Sequence, residues 1–327
     1  MGRPRGVDVP PVRVGVWGLG PHARRKILPA LDICPETVLV GVTTRDREVA
    51  LEEADRYGCR EWATADDMLA SPDVEAVYVA TPTGLHHRHG LQVLQAGKHL
   101  WCEKPMTETL QQLEQLMDVA GRRDLALCEG LMYLYHPQFS TISRMVSDAS
   151  FGKVVSLRTQ FGLPPLEQPR FRYSRELGGG ALLDLAPYPL SAALELLGSP
   201  LTLTESFVGT PSGRDVDTYG YALLTAAEGT TAFLEWGYER GYRNEISVWG
   251  ERASLTSEFI YSKTSDHRAR VTLRNKRGVA EQVEIEPADS FLLMFSAFAD
   301  VVRSPERHEV LRQAIEVRAS HLERLRR

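Results

Sequence analysis

Several features that define common protein classes are missing from this chain of 327 residues. The four cysteines have no paired spacing, so neither a zinc motif nor a disulfide framework is expected, and a reducing compartment fits (Cys34, Cys59, Cys102 and Cys128). No block of basic residues accompanies the net charge of -5, which argues against nucleic acid as a partner. No apolar run approaches the ~20 residues that span a bilayer. We therefore expect a soluble, cytoplasmic protein without a membrane partner.

The chain is too long for one ordinary domain and suits two. In residues 1–130 short apolar runs alternate with amphipathic helical segments, which predicts an α/β fold with a doubly wound parallel sheet. The predicted strands there are Val12–Trp17, Val38–Thr44, Glu61–Ala63, Val74–Ala80, His99–Glu103 and Leu125–Glu129. We assign residues 1–130 to nucleotide binding and residues 131–327 to substrate binding and oligomerisation.

Residues 131–327 have longer strands in which polar and apolar residues alternate. Such alternation is typical of an antiparallel sheet with two different faces. The predicted strands are Val154–Phe161, Leu201–Val208, Thr218–Thr225, Thr231–Tyr238, Asn244–Trp249, Arg268–Arg274 and Val279–Ile285. Helices are predicted at residues 138–147, 289–302 and 309–326, and we interpret the arginines of the last one as a solvated face.

A glycine pattern follows the first predicted strand and precedes a helix. It runs Gly18, Gly20, Pro21, His22 and Ala23. Gly18 permits a tight turn, Gly20 lets the backbone approach a pyrophosphate, and Ala23 lets the helix pack close to the strand. The free N–H groups and the positive dipole end of that helix favour phosphate. The pattern between a strand and a helix predicts a dinucleotide site.

The end of the second strand selects between the two nicotinamide dinucleotides. A carboxylate there hydrogen-bonds the ribose of NAD and repels a 2′-phosphate. This chain has Thr44 and Arg45 instead, and a guanidinium suits a phosphate. We therefore predict NADP(H) as the cofactor. The alternative is that Arg45 only flanks the next helix, and Asp46 is a reason for caution.

Two further loops are expected at the same edge of the sheet. Thr81 and Pro82 follow the fourth strand, where they can meet the nicotinamide half of the cofactor, and His86 follows on a helix. Two more histidines lie on that helix, but no carboxylate partner accompanies them, so we predict no metal. Glu103 and Lys104 end the fifth strand, where Pro105 stops it. Ligands of open α/β sheets bind at this edge, although Lys104 by itself could be an ordinary surface lysine.

Residues 178–197 are the most informative stretch of the second half. The three glycines at 178–180 allow close approach of the backbone to a ligand. Asp184 and Tyr188 follow four residues apart, which on a helix places them on one face. The alternatives are a helix-end carboxylate for Asp184 and a buried tyrosine with a satisfied hydroxyl for Tyr188.

These segments together resemble the glucose–fructose oxidoreductase / inositol dehydrogenase / MocA family. The resemblance runs from about Val12 to the C-terminus, and the Glu-Lys-Pro triplet at 103–105 is its most specific element. It implies a Rossmann domain followed by an α/β domain with a large open, mostly antiparallel sheet. It also implies that Lys104 lies beside the nicotinamide and that the Lys104–Pro105 peptide is cis. Many members have histidine where this chain has Tyr188, and the tyrosine variant looks most like nucleotide-sugar 3-ketoreductases of deoxysugar biosynthesis.

The resemblance implies NADPH-dependent reduction of a keto sugar, most similar to a nucleotide-linked 3-keto-deoxyhexose. Lys104, Asp184 and Tyr188 are the expected catalytic residues, and we expect the Lys104 ammonium to lower the pKa of Tyr188 from about 10. Whether Lys104 or Tyr188 gives the proton stays open. The expected substrate contacts add Tyr133, Arg172 and Tyr173, and Arg170 and Arg175 could meet a diphosphate.

Other functions stay open on the sequence alone. They are oxidation of a free sugar, polyol or dihydrodiol, glycoside hydrolysis with a retained NAD, and non-catalytic sensing of the dinucleotide. The resemblance further implies a homo-oligomer, a dimer or tetramer, that packs through the C-terminal sheet. Aromatic residues between 233 and 261 suit such a face, but a sheet core would also account for them.

Overall fold

A computed structural model describes residues 10–165 and 170–326, with the side chain of Arg170 left out. Six parallel strands form the first sheet. In chain order β1 to β6 are Val12–Trp17, Thr37–Thr43, Arg60–Glu61, Ala76–Val79, His99–Glu103 and Leu127–Gly130. Their spatial order is β3-β2-β1-β4-β5-β6, which is the dinucleotide-binding arrangement. The predicted parallel doubly wound sheet is confirmed.

Helices cover both faces of this sheet. After a π-helical turn at Ala23–Ile27, helices α1 to α5 are Leu28–Ile33, Arg47–Tyr57, Ala65–Ala70, Thr83–Gln95 and Leu110–Arg123. The sequence did not indicate α3, because only Met68 and Leu69 supply its buried face. It begins where the Thr64 hydroxyl accepts a hydrogen bond from the Asp67 N–H.

Eight strands form the second sheet. Strands β7 to β14 are Val154–Gly162, Leu201–Gly209, Tyr219–Ala226, Thr231–Gly237, Arg243–Gly250, Ala253–Glu258, Ala269–Asn275 and Ala280–Ile285. Their order is β14-β13-β12-β11-β7-β10-β9-β8, and every pairing is antiparallel except that of β7 with β10. The expected open, mostly antiparallel sheet is confirmed. Strand β12 was not predicted, because its Ser and Thr residues hide the apolar period and only Leu255 is both apolar and buried.

The remaining helices, α6 to α10, are Pro137–Ser147, Ala181–Asp184, Pro187–Leu197, Ser290–Val302 and His308–Arg324. Helix α8 packs on β7 and β10, whereas α9 and α10 return to the first sheet. The ring of Phe295 on α9 lies 5.3 Å from Tyr78 and 5.9 Å from Trp101. The last helices therefore tie the two halves of the chain together. No helix among the described residues is both long and apolar enough to cross a membrane.

Candidate active site

Lys104 follows β5 at the carboxyl edge of the parallel sheet, and its peptide bond with Pro105 is cis, as the resemblance implied. The ammonium reaches into the second half of the chain. Nζ donates to Asp184 Oδ1 at 2.8 Å and to the Asp184 carbonyl oxygen at 2.6 Å, and only 10% of the Lys104 side chain is exposed. Two of the three ammonium protons are thus held by one residue of the other sheet's domain.

Asp184 is buried and collects two more donors. Its Oδ2 accepts from Arg172 Nε at 2.7 Å and from the Tyr238 hydroxyl at 2.8 Å. Burial by itself would raise the pKa of Asp184, but the charges of Lys104 and Arg172 hold it well below its ordinary value. Burial likewise pulls the pKa of Lys104 down, and the attraction of Asp184 reverses this and leaves it raised. The site therefore holds a carboxylate between two cations at neutral pH.

Tyr188 lies beside this cluster, with its ring centroid 4.9 Å from Lys104 Nζ. Its hydroxyl donates to Met132 Sδ at 4.0 Å, which is a long and weak contact. The expected fall in the pKa of Tyr188 is wrong for this structure. Burial raises the pKa to about 12, and the opposing effect of the Lys104 ammonium is smaller. The phenol is consequently protonated throughout the physiological range.

The spacing of Asp184 and Tyr188 predicted that both lie on one helix, but the structure places them on two. Asp184 ends α7 and Tyr188 lies in the first turn of α8. Pro187 starts the second helix, since a proline suits the first turn, where its missing N–H costs no helical bond. Lys104 nevertheless contacts both side chains, so the two helices still bring them together.

The glycines at 178–180 were expected to let the backbone approach a ligand, but at Gly180, as at Gly18, the close approach is to the protein itself. Gly180 has φ +113°, and a side chain there would collide with the Asp217 carboxylate at 2.3 Å. Gly18 has φ +102°, and a Cβ atom would lie 2.9 Å from Thr81 Cγ2. A Cβ at Gly20, by contrast, would meet no protein atom within 4 Å. Protein packing thus does not require the glycine at position 20, whereas close approach of a pyrophosphate would.

The end of β2 presents a hydroxyl and an exposed cation beside the glycine turn. Thr44 Oγ1 accepts a hydrogen bond from the Leu19 N–H at 3.4 Å, while Arg45 is exposed. Asp46 is engaged as the cap of α2, where its carboxylate accepts from the Val49 N–H at 3.5 Å. The Asp46 carboxylate, which was the reason for caution about NADP(H), therefore caps α2, and its role there is structural.

Glu103 joins the glycine turn to the strand that carries Lys104. Its Oε1 contacts His22 Nε2 at 3.0 Å and accepts from the Tyr78 hydroxyl at 2.7 Å. Burial opposes ionisation, but His22 and the Tyr78 bond hold the pKa of Glu103 at about 2. Pro21 and Ala23 flank His22 in that turn, and Ala23 is buried at the start of the π-helical turn.

Three of the predicted contact residues have hydrogen-bond partners within the protein. His86 is completely buried, and both its ring nitrogens contact backbone carbonyls, so no nitrogen is left for a cofactor. Tyr133 is also completely buried: its hydroxyl pairs with Ser191 Oγ at 2.7 Å, and it packs behind Tyr188. Arg175 donates to the Asp215 carbonyl at 2.6 Å. The side chain of Arg170, a predicted diphosphate contact, lies outside the described residues.

Two predicted contacts remain in reach of the cluster. Arg172 bonds Asp184 through Nε, which leaves the outer guanidinium nitrogens, and a third of its side chain is exposed. Tyr173 donates its hydroxyl to Glu239 at 3.1 Å, and its ring lies 5.5 Å from the Tyr238 ring.

Thr81 and Pro82 lie at the start of α4, and the Thr81 hydroxyl contacts His89 Nδ1 at 3.0 Å. No group of three metal-ligating side chains occurs within the described ranges.

Comparison with known proteins decides the family. A profile described as "Oxidoreductase family, NAD-binding Rossmann fold" matches residues 12–131, and one described as "GFO/IDH/MocA C-terminal domain" matches residues 139–256. The chain belongs to the GFO/IDH/MocA family. The resemblance drawn from the sequence is thereby confirmed, and the chain is an oxidoreductase.

The similar proteins of the GFO/IDH/MocA family include reductases of a dTDP-linked sugar. A dTDP-3,4-didehydro-2,6-dideoxy-alpha-D-glucose 3-reductase from Saccharopolyspora spinosa is 33% identical over 90% of this chain and 88% of its own length. The enzyme of the same name from Actinomadura kijaniata is 35% identical over 90% of this chain and 89% of its own length. The crystal structure of a 3-ketoreductase from Actinomadura kijaniata with NADP and TDP-benzene has a TM-score of 0.92 at 34% identity, covering 97% of both chains.

Sequence reasoning missed several residues that shape this family's site here. Tyr238 was noted only as one aromatic of a strand, yet its hydroxyl bonds the Asp184 carboxylate. Arg318 was interpreted as part of a solvated face, but only 13% of its side chain is exposed and it donates to Glu129 at 2.9 Å. Neither role has a local signal, because the partners are 54 and 189 residues apart in the chain.

Proposed function

We propose that this chain is an NADPH-dependent reductase of a nucleotide-linked 3-keto-deoxyhexose. The observation that carries the proposal is the meeting of Lys104, Asp184 and Tyr188 at the carboxyl edge of the dinucleotide-binding sheet. Two of the similar proteins support the same reaction, since they are named as 3-reductases of a dTDP-linked sugar, and a similar 3-ketoreductase was crystallised with NADP and TDP-benzene.

The chain offers a fitting cradle for NADP(H). The residues proposed to hold it are Gly18, Gly20, Pro21, His22, Ala23, Thr44, Arg45, Thr81, Pro82, Glu103 and Lys104. The space at Gly20 and the exposed guanidinium of Arg45 suit a pyrophosphate and a 2′-phosphate respectively. When bound, the cofactor supplies the hydride.

Two protonated groups of the chain are available to the ketone oxygen. The Lys104 ammonium has three protons and spends two on Asp184, so one N–H is left to polarise a carbonyl. Among the described residues, the Tyr188 hydroxyl donates to the Met132 thioether alone, and a substrate oxygen is a better acceptor for it. Since the raised pKa values keep both groups protonated, the site is set for reduction.

Asp184 has a different part in this scheme. With Lys104, Arg172 and Tyr238 all directed at its oxygens, it is a poor proton acceptor. We assign it to the placement of Lys104 and Arg172. The outer nitrogens of Arg172 and the nearby Tyr173 are the proposed substrate contacts, since a guanidinium binds phosphate oxygens through a fork.

The proposal is tested by following NADPH oxidation with a dTDP-linked 3-keto-2,6-dideoxy sugar and with the corresponding free sugar. We expect turnover of the linked sugar, and loss of about 100-fold or more in kcat for Lys104→Met and Tyr188→Phe. Lys98→Met is the matched control, because Lys98 lies before the same strand and donates to Ser71 and Val74 carbonyls. Near-normal turnover in both variants rejects the assignment. NADP⁺ reduction by a free sugar or dihydrodiol alone favours the oxidising alternative.

We further propose that the open face of the eight-stranded sheet pairs with a second copy of the chain. Trp249 is 62% exposed there, and Phe259 is 38% exposed. Large apolar side chains exposed on an otherwise polar face are candidates for an interface. Light scattering after size exclusion should report a dimer or tetramer, and Trp249→Glu should shift it toward monomer; a monomeric parent chain contradicts the proposal. The cytoplasmic location stays a prediction.

A further inference from the structure

A single buried histidine joins the two loops at the proposed nicotinamide end of the site. His86 lies in α4 and is 1% exposed. Its Nδ1 lies 2.9 Å from the Pro105 carbonyl oxygen, and its Nε2 lies 2.8 Å from the Thr81 carbonyl oxygen. One imidazole ring therefore contacts the loop after β4 and the loop after β5.

The neighbouring histidines of α4 have different contacts. His87 faces α5, where Nε2 contacts Gln115 Oε1 at 2.7 Å. His89 stacks on Trp17 at 4.0 Å and contacts the Thr81 hydroxyl. Within the described part of the chain, the bridge between the two loops is thus a property of His86, and His87 provides a matched comparison on the same helix.

The loop that carries Lys104 has a second anchor on its far side. The Met106 N–H donates to Glu129 Oε1 at 3.0 Å, and Arg318 donates to the other oxygen of Glu129 at 2.9 Å. The Pro105 carbonyl therefore contacts His86, while the N–H of Met106 is bonded to the Glu129–Arg318 ion pair, whose side chains are 7% and 13% exposed. The His86 contact links the segment next to Lys104 with the Thr81 loop.

The two contacts of His86 compete for one proton. A neutral imidazole has one N–H and can donate to only one carbonyl oxygen at a time. Burial lowers the pKa of His86 and so favours the neutral ring. Asparagine and glutamine separate the two contacts, because the amide nitrogen of asparagine takes the place of Nδ1 and that of glutamine takes the place of Nε2.

We propose that His86 is a positioning residue for the reduction: through Pro105 it sets the place of the Lys104 ammonium, and through Thr81 it sets the loop at the nicotinamide. The inference rests on the proposed function for its kinetic part. Its geometric part, the position of Lys104 Nζ against Asp184, does not depend on any substrate.

The kinetic test compares His86→Gln, His86→Asn and the controls His87→Gln and His87→Asn in the full chain. His86→Gln loses the donor to Pro105, so we expect kcat to fall by about 10- to 100-fold with NADPH affinity changed less than about threefold. His86→Asn keeps that donor, so kcat should stay within about threefold while NADPH binding, measured by fluorescence, weakens. Both His87 variants should match the parent.

The inference would be overturned if the two His86 variants had equal kinetics, which includes an equal loss of kcat. Crystal structures of both variants distinguish failure of the inference from failure of the proposed function. Lys104 Nζ should leave Asp184 Oδ1 in His86→Gln and stay at hydrogen-bond distance in His86→Asn; an unmoved ammonium in both overturns the inference even if no substrate is found. If His86→Gln does not fold, retained kcat with weakened NADPH binding in His86→Asn supports it, and lost kcat there rejects it.

Discussion

Replacing Asp184 by asparagine removes a buried negative charge without changing the volume of the side chain. The charge lies 2.8 Å from Lys104 Nζ and 2.7 Å from Arg172 Nε, and about a tenth of its side chain is exposed. The hydroxyl of Tyr238 keeps an acceptor in the amide oxygen. The substitution therefore tests the electrostatic part of the site and leaves its packing in place.

The magnitude follows from the burial of the pair. A unit charge pair at about 4 Å is worth about 4 kcal/mol at an effective dielectric constant of about 20, and removal of one partner of a buried pair costs about 3–5 kcal/mol. We expect Asp184→Asn to lower the free energy of unfolding by about 3–5 kcal/mol. Burial is the largest influence on the pKa of Lys104 and lowers it, so loss of the carboxylate should also lower that pKa.

The assay is urea unfolding together with the pH dependence of kcat. Because the pKa of Lys104 falls in Asp184→Asn, the donor form is lost at a lower pH, and kcat should decline on the alkaline side where the parent enzyme does not. Asp118→Asn, in an exposed pair with Arg122, is the control and should change stability by less than about 0.5 kcal/mol. In a double variant with Lys104→Met, part of the loss should return, because no unpaired ammonium is left.

A loss below about 1 kcal/mol in Asp184→Asn, with an unchanged pH profile, would refute this reasoning. It would mean that water, or movement of the side chains, stabilises the charges of Lys104 and Arg172 without the carboxylate at little cost in free energy. The double variant then carries the same information: strictly additive losses indicate that Lys104 and Asp184 are not coupled.

Two other predictions concern the cofactor and the proton. Arg45→Ala should weaken NADPH binding by about 10- to 100-fold and leave NADH binding within about twofold, since a charged hydrogen bond is worth about 1.5–3 kcal/mol; fluorescence titration checks this, with Arg56→Ala at the far end of α2 as control, and equal losses for both dinucleotides reject the NADP(H) assignment. The pKa of Tyr188 lies at about 12, so its donor form is complete at neutral pH and is lost only as pH rises through that value. The kcat of reduction should thus stay level from about pH 6 to about pH 10, and an alkaline decline near neutrality that disappears in Tyr188→Phe contradicts this.

The sequence predicted what local chemistry determines. The glycine turn, the end of β5 at Glu103 and the alternation of the second sheet each depend on neighbours in the chain. A capping residue moved one predicted helix limit by a single position, because Asp289 lies just outside its helix. Such shifts are expected, since a cap residue is only half part of its helix.

The sequence could not predict effects that come from distant packing. Tyr238 directly follows β10, which pairs in parallel with β7. This pairing brings the Tyr238 hydroxyl to Asp184, which ends a helix that lies between the two strands in the chain. The expected effect of Lys104 on Tyr188 had the right sign, but the burial that outweighs it arises from Tyr133, Phe161 and Tyr261 around the ring. Periodicity gives no measure of such burial, and so the direction of the pKa shift came out reversed.

The most direct measurement of the central claim is a crystal structure of the chain with NADP⁺ and a dTDP-linked sugar. The account predicts the sugar C3 about 3–3.5 Å from the nicotinamide C4, with its oxygen in hydrogen-bond reach of Lys104 Nζ and the Tyr188 hydroxyl. A nicotinamide bound away from Lys104, or a sugar whose C3 oxygen faces neither group, would contradict it.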